Sequence, residues 1–121
     1  MPHRHILVLE DDPLIAMMLE DELESMGLHV LGPANNMKSA LQLSEYPNLD
    51  GALLDLNING DYATNVADKL RTRQVPFIFV TGSGRPPGLL YKDVFILQKP
   101  FTGIDLRIAL IALFEAQRQY K

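Results

Sequence analysis

Polar residues that could do chemistry close four short apolar runs in this chain. Ile6-Leu-Val-Leu9 ends in Glu10-Asp11-Asp12, and Ala52-Leu-Leu54 ends in Asp55. Phe77-Ile-Phe-Val80 ends in Thr81, and Val94-Phe-Ile-Leu97 is followed by Lys99-Pro100. Carboxylates brought close together repel unless a cation neutralises them, and a few hard oxygen ligands completed by water suit Mg²⁺ better than zinc. Such an ion could take one oxygen of an incoming phosphoryl group while Lys99 and the Thr81 hydroxyl take others, leaving the Asp55 carboxylate aligned to attack phosphorus. A carboxylate ionised at neutral pH needs no general base for this, so no histidine is required. Taken singly, an Asp or Thr ending a strand and a Lys before Pro are ordinary turn residues, and Asp12 before Pro13 reads as a helix N-cap. Their joint order carries the inference.

The elements that must position these groups follow from periodicity. Five runs, the four above and His29-Val-Leu31, are short enough to be strands buried on both faces. Helical spacing lies between them. One helix begins at Asp12-Pro13, ends near Gly27 and turns Ile15, Met18, Leu19 and Leu23 to one face, with Met17-Met18 as core filling. A second, from about Met37 to Glu45, faces Met37, Ala40, Leu41 and Leu43 inward. A third, from about Tyr62 to Arg71, spaces Val66 and Leu70 four apart, and the last runs from Thr102 to about Gln119. Strands alternating with helices predict an α/β fold, a parallel sheet covered on both faces. In such a sheet ligands bind beyond the carboxyl ends of the strands, where Glu10, Asp11, Asp55, Thr81 and Lys99 gather. Between Gly82 and Lys92, three glycines and two prolines break any pattern and predict a loop with room for at most one helical turn.

Composition narrows the function classes. With 121 residues, 47% hydrophobic and 21% charged, the chain is expected to be one globular domain, residues 1–121, with no output domain. A net charge of -4 offers no basic stripe for a phosphate backbone, so nucleic-acid binding is not expected. No cysteine is present, and His3, His5 and His29 lack zinc-site spacing and read as surface or strand-edge residues. The four-residue run Ile6 to Leu9 is too short for a signal peptide or membrane span, which predicts a cytoplasmic protein without membrane contact.

These residues resemble the receiver domain of two-component response regulators over essentially the whole chain. Ile6-Leu-Val-Leu-Glu-Asp-Asp-Pro13 is similar to the family's first strand and acidic pair, and Gly51-Ala-Leu-Leu-Asp-Leu-Asn57 to its phospho-acceptor strand. Thr81-Gly82 and Lys99-Pro100-Phe101 complete the set. The resemblance implies a flavodoxin-like, doubly wound five-stranded sheet in order 2-1-3-4-5. It makes Asp55 the phospho-acceptor, Asp11 a direct Mg²⁺ ligand, Glu10 a ligand through water, and Asn57 a ligand through its backbone carbonyl. Thr81 and Lys99 would bind phosphoryl oxygens, and Asn57 and Ser83 occupy positions that tune dephosphorylation. One departure concerns switching. The family's aromatic residue three before the Lys is Ile96 here, while alternation puts Phe95 on the opposite face, so the usual Thr and aromatic coupling cannot operate in its common form. Pro76-Phe-Ile-Phe-Val-Thr-Gly82 is also similar to a subgroup marked by Pro-Phe-x-Phe-Ala-Thr-Gly, with Val80 in place of Ala. That subgroup implies a single-domain regulator with a short or disordered fourth helix, a mobile stretch 82–92, and a sensor histidine kinase of HWE type as partner.

The expected function is therefore a phosphorylated signalling protein rather than an enzyme. It would accept phosphoryl from a sensor histidine kinase or phosphotransfer protein and act through a downstream protein partner or a phosphorelay. Two alternatives stand beside it: a degenerate receiver serving as an unphosphorylated binding module, and a small Mg²⁺-dependent phosphatase. The second needs an acid two residues after its nucleophile, where this chain has Asn57. The last helix carries more apolar residues than one stripe needs, and Ile104, Ile108 and Ile111 either widen its core face or form a homodimer or partner face.

Overall fold

Chain segments that are apolar on every residue can only be strands if both faces are covered, and the computed structural model, which describes residues 4–82, 91 and 93–119, has that arrangement. The elements in order are β1 (His5–Leu9), α1 (Pro13–Ser25), β2 (His29–Ala34), α2 (Met37–Leu43), β3 (Leu49–Asp55), β4 (Asn57–Ile58), β5 (Asp61–Tyr62), α3 (Thr64–Thr72), β6 (Phe77–Thr81), β7 (Ile96–Gln98) and α4 (Gly103–Gln119). Five strands form one parallel sheet in the order β2-β1-β3-β6-β7. Numbered among themselves these are 2-1-3-4-5, the flavodoxin-like order.

Alternation sorts the core into two layers. Ile6, Val8, Leu53, Ile78 and Val80 meet Leu19 and Leu23 of α1 and Leu106, Ala109, Leu110 and Leu113 of α4. Leu7, Leu9, Ala52, Leu54, Phe77 and Phe79 meet Ala40 of α2 and Val66, Ala67 and Leu70 of α3. Residues one apart on a strand thus serve opposite layers. Leu53 and Leu54 are fully buried, one on each side, and together they fix the register that delivers Asp55 to the rim.

Three local features differ from the periodic expectation. In α1 the inward stripe is Ala16, Leu19 and Leu23, with Ile15 partly buried, while Met17 and Met18 are exposed. At about 100° per residue, position 18 stands well off the centre of that stripe, so neither methionine fills the core. In α4 the stripe is Leu106, Ala109, Leu110 and Leu113, which puts Ile104, Ile108 and Ile111 on the far side, 71%, 52% and 64% exposed. They do not widen the core face. Finally, α3 starts at Thr64 rather than Tyr62, because Asp61 and Tyr62 pair with Ile58 and Asn57 in an antiparallel hairpin. Its Asn59-Gly60 turn, with φ of 53° and 90°, is the dipeptide that favours this hairpin geometry.

His5 starts β1 and lies half-buried against His29 and Tyr46, in keeping with a strand-edge role. Most of the stretch after Gly82, including Ser83, the loop expected there and with it the short or disordered fourth helix and its mobility, lies outside the described residues. Among the described residues no helix is long and apolar enough to cross a membrane.

The end of β1 is aligned by an irregularity in β2. Leu7 pairs with Leu31 but Leu9 with Ala34, so Gly32 and Pro33 form a bulge, after which Glu10 N–H donates to the Ala34 carbonyl at 2.9 Å. Gly32 has φ of 101°, and a Cβ there would stand 2.5 Å from Ala34 N and 3.0 Å from the Val8 carbonyl oxygen. Both neighbours are backbone and cannot swing aside. Gly32→Ala is expected to cost about 2 kcal/mol or more of stability, read as a lower urea midpoint at unchanged slope.

Candidate phosphoryl and metal site

Pairing of β1 with β3, and of β3 with β6, aligns Leu9 with Leu54 and Asp55 with Val80. Glu10, Asp11, Asp55 and Thr81 therefore emerge on one rim, and Lys99 joins them because its N–H donates to the Thr81 carbonyl at 2.8 Å. Glu10 and Thr81 are buried, 1% and 3% exposed, and Asp55 is 6% exposed, whereas Asp11 stands open at the mouth.

Two buried carboxylates share one ammonium. Lys99 Nζ lies 2.9 Å from Glu10 Oε1 and 3.4 Å from Asp55 Oδ2. Asp55 Oδ1 accepts the Asn57 N–H at 3.3 Å, and Glu10 Oε2 accepts the Asp12 N–H at 3.0 Å. Asp12 itself caps α1, its Oδ1 accepting from Leu14 N–H at 2.9 Å and Ile15 N–H at 3.5 Å. Asp11 Oδ2 accepts the Asn59 N–H at 3.4 Å, so the β4–β5 hairpin also reaches the site. Sequence reasoning missed Asn59, although the Asn-Gly dipeptide two residues beyond Asn57 was the available signal.

Charge crowding follows from this geometry. Burial, and then Glu10 beside it, push the Asp55 carboxyl up to about 7, an effect that Lys99 and the Asn57 N–H only partly offset. Burial opposes the Lys99 charge too, but Glu10 and Asp55 outweigh it and hold the ammonium above its ordinary pKa. The expectation of an Asp55 fully ionised at neutral pH thus needs a correction: without a cation the site favours ionisation only above about pH 7. The residues fit such a cation. Glu10, Asp11 and Asp55 each offer an oxygen, all within 4.8 Å of one another. Glu10 Oε1 is buried and accepts no well-directed hydrogen bond, although Lys99 Nζ is near it. Hard carboxylate donors open to water on the Asp11 side are the set that Mg²⁺ takes.

The profile of the response regulator receiver domain matches residues 6–110. The chain belongs to that family. It is 35% identical over 105 residues to the phyllosphere-induced regulator PhyR of Methylorubrum extorquens, covering 79% of this chain and 38% of that protein's length. Among solved structures, SdrG from Sphingomonas melonis Fr1 is 41% identical with a TM-score of 0.82, covering 93% of this chain and 97% of that one. A variant of PhyR from Bartonella quintana, described as an anti-anti-sigma factor, is 29% identical with a TM-score of 0.76, covering 97% of this chain and 51% of that one. The chain thus spans well under half of the curated regulator, yet nearly all of the receiver SdrG.

The raised Asp55 carboxyl has a measurable consequence. Its folded pKa lies above its unfolded value of 3.8, so its contribution to stability is fully present below pH 3.8 and is lost as pH rises through about 7. In chelator-treated protein, Asp55→Asn is expected to gain stability over the parent on going from pH 5 to pH 8, by at most about 3 kcal/mol. Chemical denaturation at the two pH values reads the difference, and an equal response of both proteins would count against a crowded Asp55.

Proposed function

We propose that this receiver domain accepts a phosphoryl group on Asp55 in a Mg²⁺-dependent reaction and passes the signal on through protein contacts or a phosphorelay. The observation that carries this is the convergence of Glu10, Asp11 and Asp55 within 4.8 Å, with Lys99 Nζ against Asp55. Bound among Glu10, Asp11, Asp55 and the Asn57 backbone, Mg²⁺ would neutralise the carboxylates and polarise the phosphoryl group.

The chain's own residues supply the rest. An oxygen of Asp55 attacks the phosphorus of a phosphohistidine; the new P–O bond forms as the P–N bond breaks, and the imidazole leaves with the bonding electron pair. Lys99 carries the one cationic side chain within reach of Asp55 among the described residues and takes the charge of a phosphoryl oxygen. Thr81, at the end of the neighbouring strand, donates its hydroxyl to another. Asn57 N–H steadies the Asp55 carboxylate before attack, so the rate comes from positioning and charge neutralisation. Loss of phosphoryl then follows by hydrolysis of the acyl phosphate. Asn57, an amide, cannot serve as the acid of a phosphatase acting on outside substrates, which favours a signalling role over an enzyme.

In this proposal the domain works in the cytoplasm, and its phosphoryl source is a sensor histidine kinase, of HWE type by the subgroup resemblance, or a phosphotransfer protein. Output runs through a protein partner. Relatives named PhyR, one of them described as an anti-anti-sigma factor, make a protein antagonist of transcription a reasonable class of downstream target. The exposed Ile104, Ile108 and Ile111 offer a face for such a partner or a second copy.

Intact-mass spectrometry after incubation with a small-molecule phosphodonor is the direct test. One phosphoryl adduct is expected with Mg²⁺, none with chelator and none on Asp55→Asn, while Lys99→Ala should lower the yield at least about tenfold. Signalling that persists in Asp55→Asn would instead support the unphosphorylated binding module.

A further inference from the structure

The connection between β6 and β7 is fastened to α3 at two polar points that the phosphoryl chemistry does not use. Tyr91, 4% exposed, donates its hydroxyl to Asp68 Oδ1. Two residues later, Asp93 Oδ1 meets Arg71 Nη2 at 3.2 Å. The Arg71 guanidinium lies over the Tyr91 and Phe77 rings, 5.3 and 5.7 Å from their centroids. The Tyr91 ring in turn meets Phe77 and Phe79 edge-on at 6.4 and 5.5 Å. Burial, with Asp68 beside it, pushes the phenol up to about 12, so it stays a donor at any working pH.

Alternation along β6 places Phe77, Phe79 and Thr81 on one face. Tyr91 therefore covers the strand face that ends in Thr81, next to Ile96, which is paired with Phe79. The space over these strands is filled by an aromatic ring that comes from the connection rather than from β7. Thr81 is itself enclosed, its carbonyl is held by Lys99 N–H, and Phe79, two residues before it on the same face, bears the Tyr91 ring, so any movement of the end of β6 toward a group on Asp55 would disturb the Phe79–Tyr91 contact.

We propose that Tyr91, clasped to α3 through Asp68, is a positioning residue for Thr81 that holds the end of β6 in its unphosphorylated arrangement. The proposal rests on the phosphorylation of Asp55 set out above. A contact complete in the resting state and disturbed on activation opposes activation by its own free energy. Breaking the clasp should therefore tighten binding of a phosphoryl mimic.

Affinity for beryllofluoride in the presence of Mg²⁺, followed by NMR titration of the whole chain, tests this. The proteins needed are wild type, Tyr91→Phe, Asp68→Ala, Thr81→Ala and the Tyr91→Phe/Thr81→Ala pair, each with its thermal midpoint recorded. Tyr91→Phe keeps the ring and removes only the hydroxyl. Tyr91→Phe and Asp68→Ala are each expected to bind about threefold tighter or more, and the effect of Tyr91→Phe should vanish when Thr81 is already Ala. Unchanged or weaker binding in both single variants, or a full effect surviving in the Thr81→Ala background, would overturn the role of Tyr91 alone. A wild type that binds no beryllofluoride would overturn it together with the phosphorylation on which it rests.

Discussion

Two carboxylates and one ammonium in a nearly dry rim are the constraint around which this domain is arranged. Glu10 and Asp55 are both buried and both lean on Lys99, so one unit of negative charge has no partner inside the site. Buried charge of this kind is costly, and the Asp55 carboxyl answers by rising to about 7. A domain seeking only stability would replace such a group with a packed apolar one. Retaining it makes sense where a cation and a transferred anion complete the balance, since both then arrive at a site already deprived of water and already aligned.

The rest of the fold meets that constraint by rigidity. Asp55 follows three fully buried residues on the central strand of the sheet, Glu10 follows four on the strand beside it, and each strand is gripped by helices on both faces. Close packing of this kind leaves the carboxylates little freedom to splay apart and relieve their repulsion. The bulge at Gly32-Pro33 and the N-cap at Asp12 then turn the chain sharply at the rim, leaving Asp11 in the open and Glu10 inside. Two adjacent acids of one type of chemistry thus acquire different environments from backbone geometry alone.

The strands and the rim residues were legible in the sequence because they rest on strong, local signals, all-apolar runs a few residues long closed by a charged or hydroxyl group, whereas the sheet order came from the family resemblance alone. Helix faces were less legible. An α1 stripe of Ile15, Met18, Leu19 and Leu23 and one of Ala16, Leu19 and Leu23 differ by a small rotation, and a small alanine against the sheet wins over a long methionine. In α4, apolar residues occur all round, so periodicity could not say that Ile104, Ile108 and Ile111 face outward. Short hairpins such as β4–β5 offer too few residues for a period, and only the Asn59-Gly60 turn announced it. The state of Asp55 lay beyond sequence altogether, because its pKa depends on a neighbour 45 positions away and on burial that only the assembled rim creates.

Ile96 leaves a β-branched side chain where related domains carry an aromatic ring, yet the space is not empty. Ile96 is partly buried on the α3 side of the sheet, Phe95 points the other way and is 38% exposed, and Tyr91 fills the volume over Phe79. An aromatic fixed to a strand can only rotate about its own side-chain bonds, whereas one carried by a connection moves with that connection. The polar end of Tyr91 sits on α3, its ring on β6, and its chain leads to β7 and α4, whose isoleucines face solvent. The end of β6 is thus tied both to β7, through the pairing of Thr81 with Gln98 and the Lys99 N–H on the Thr81 carbonyl, and to α3, through the Tyr91 ring on Phe79.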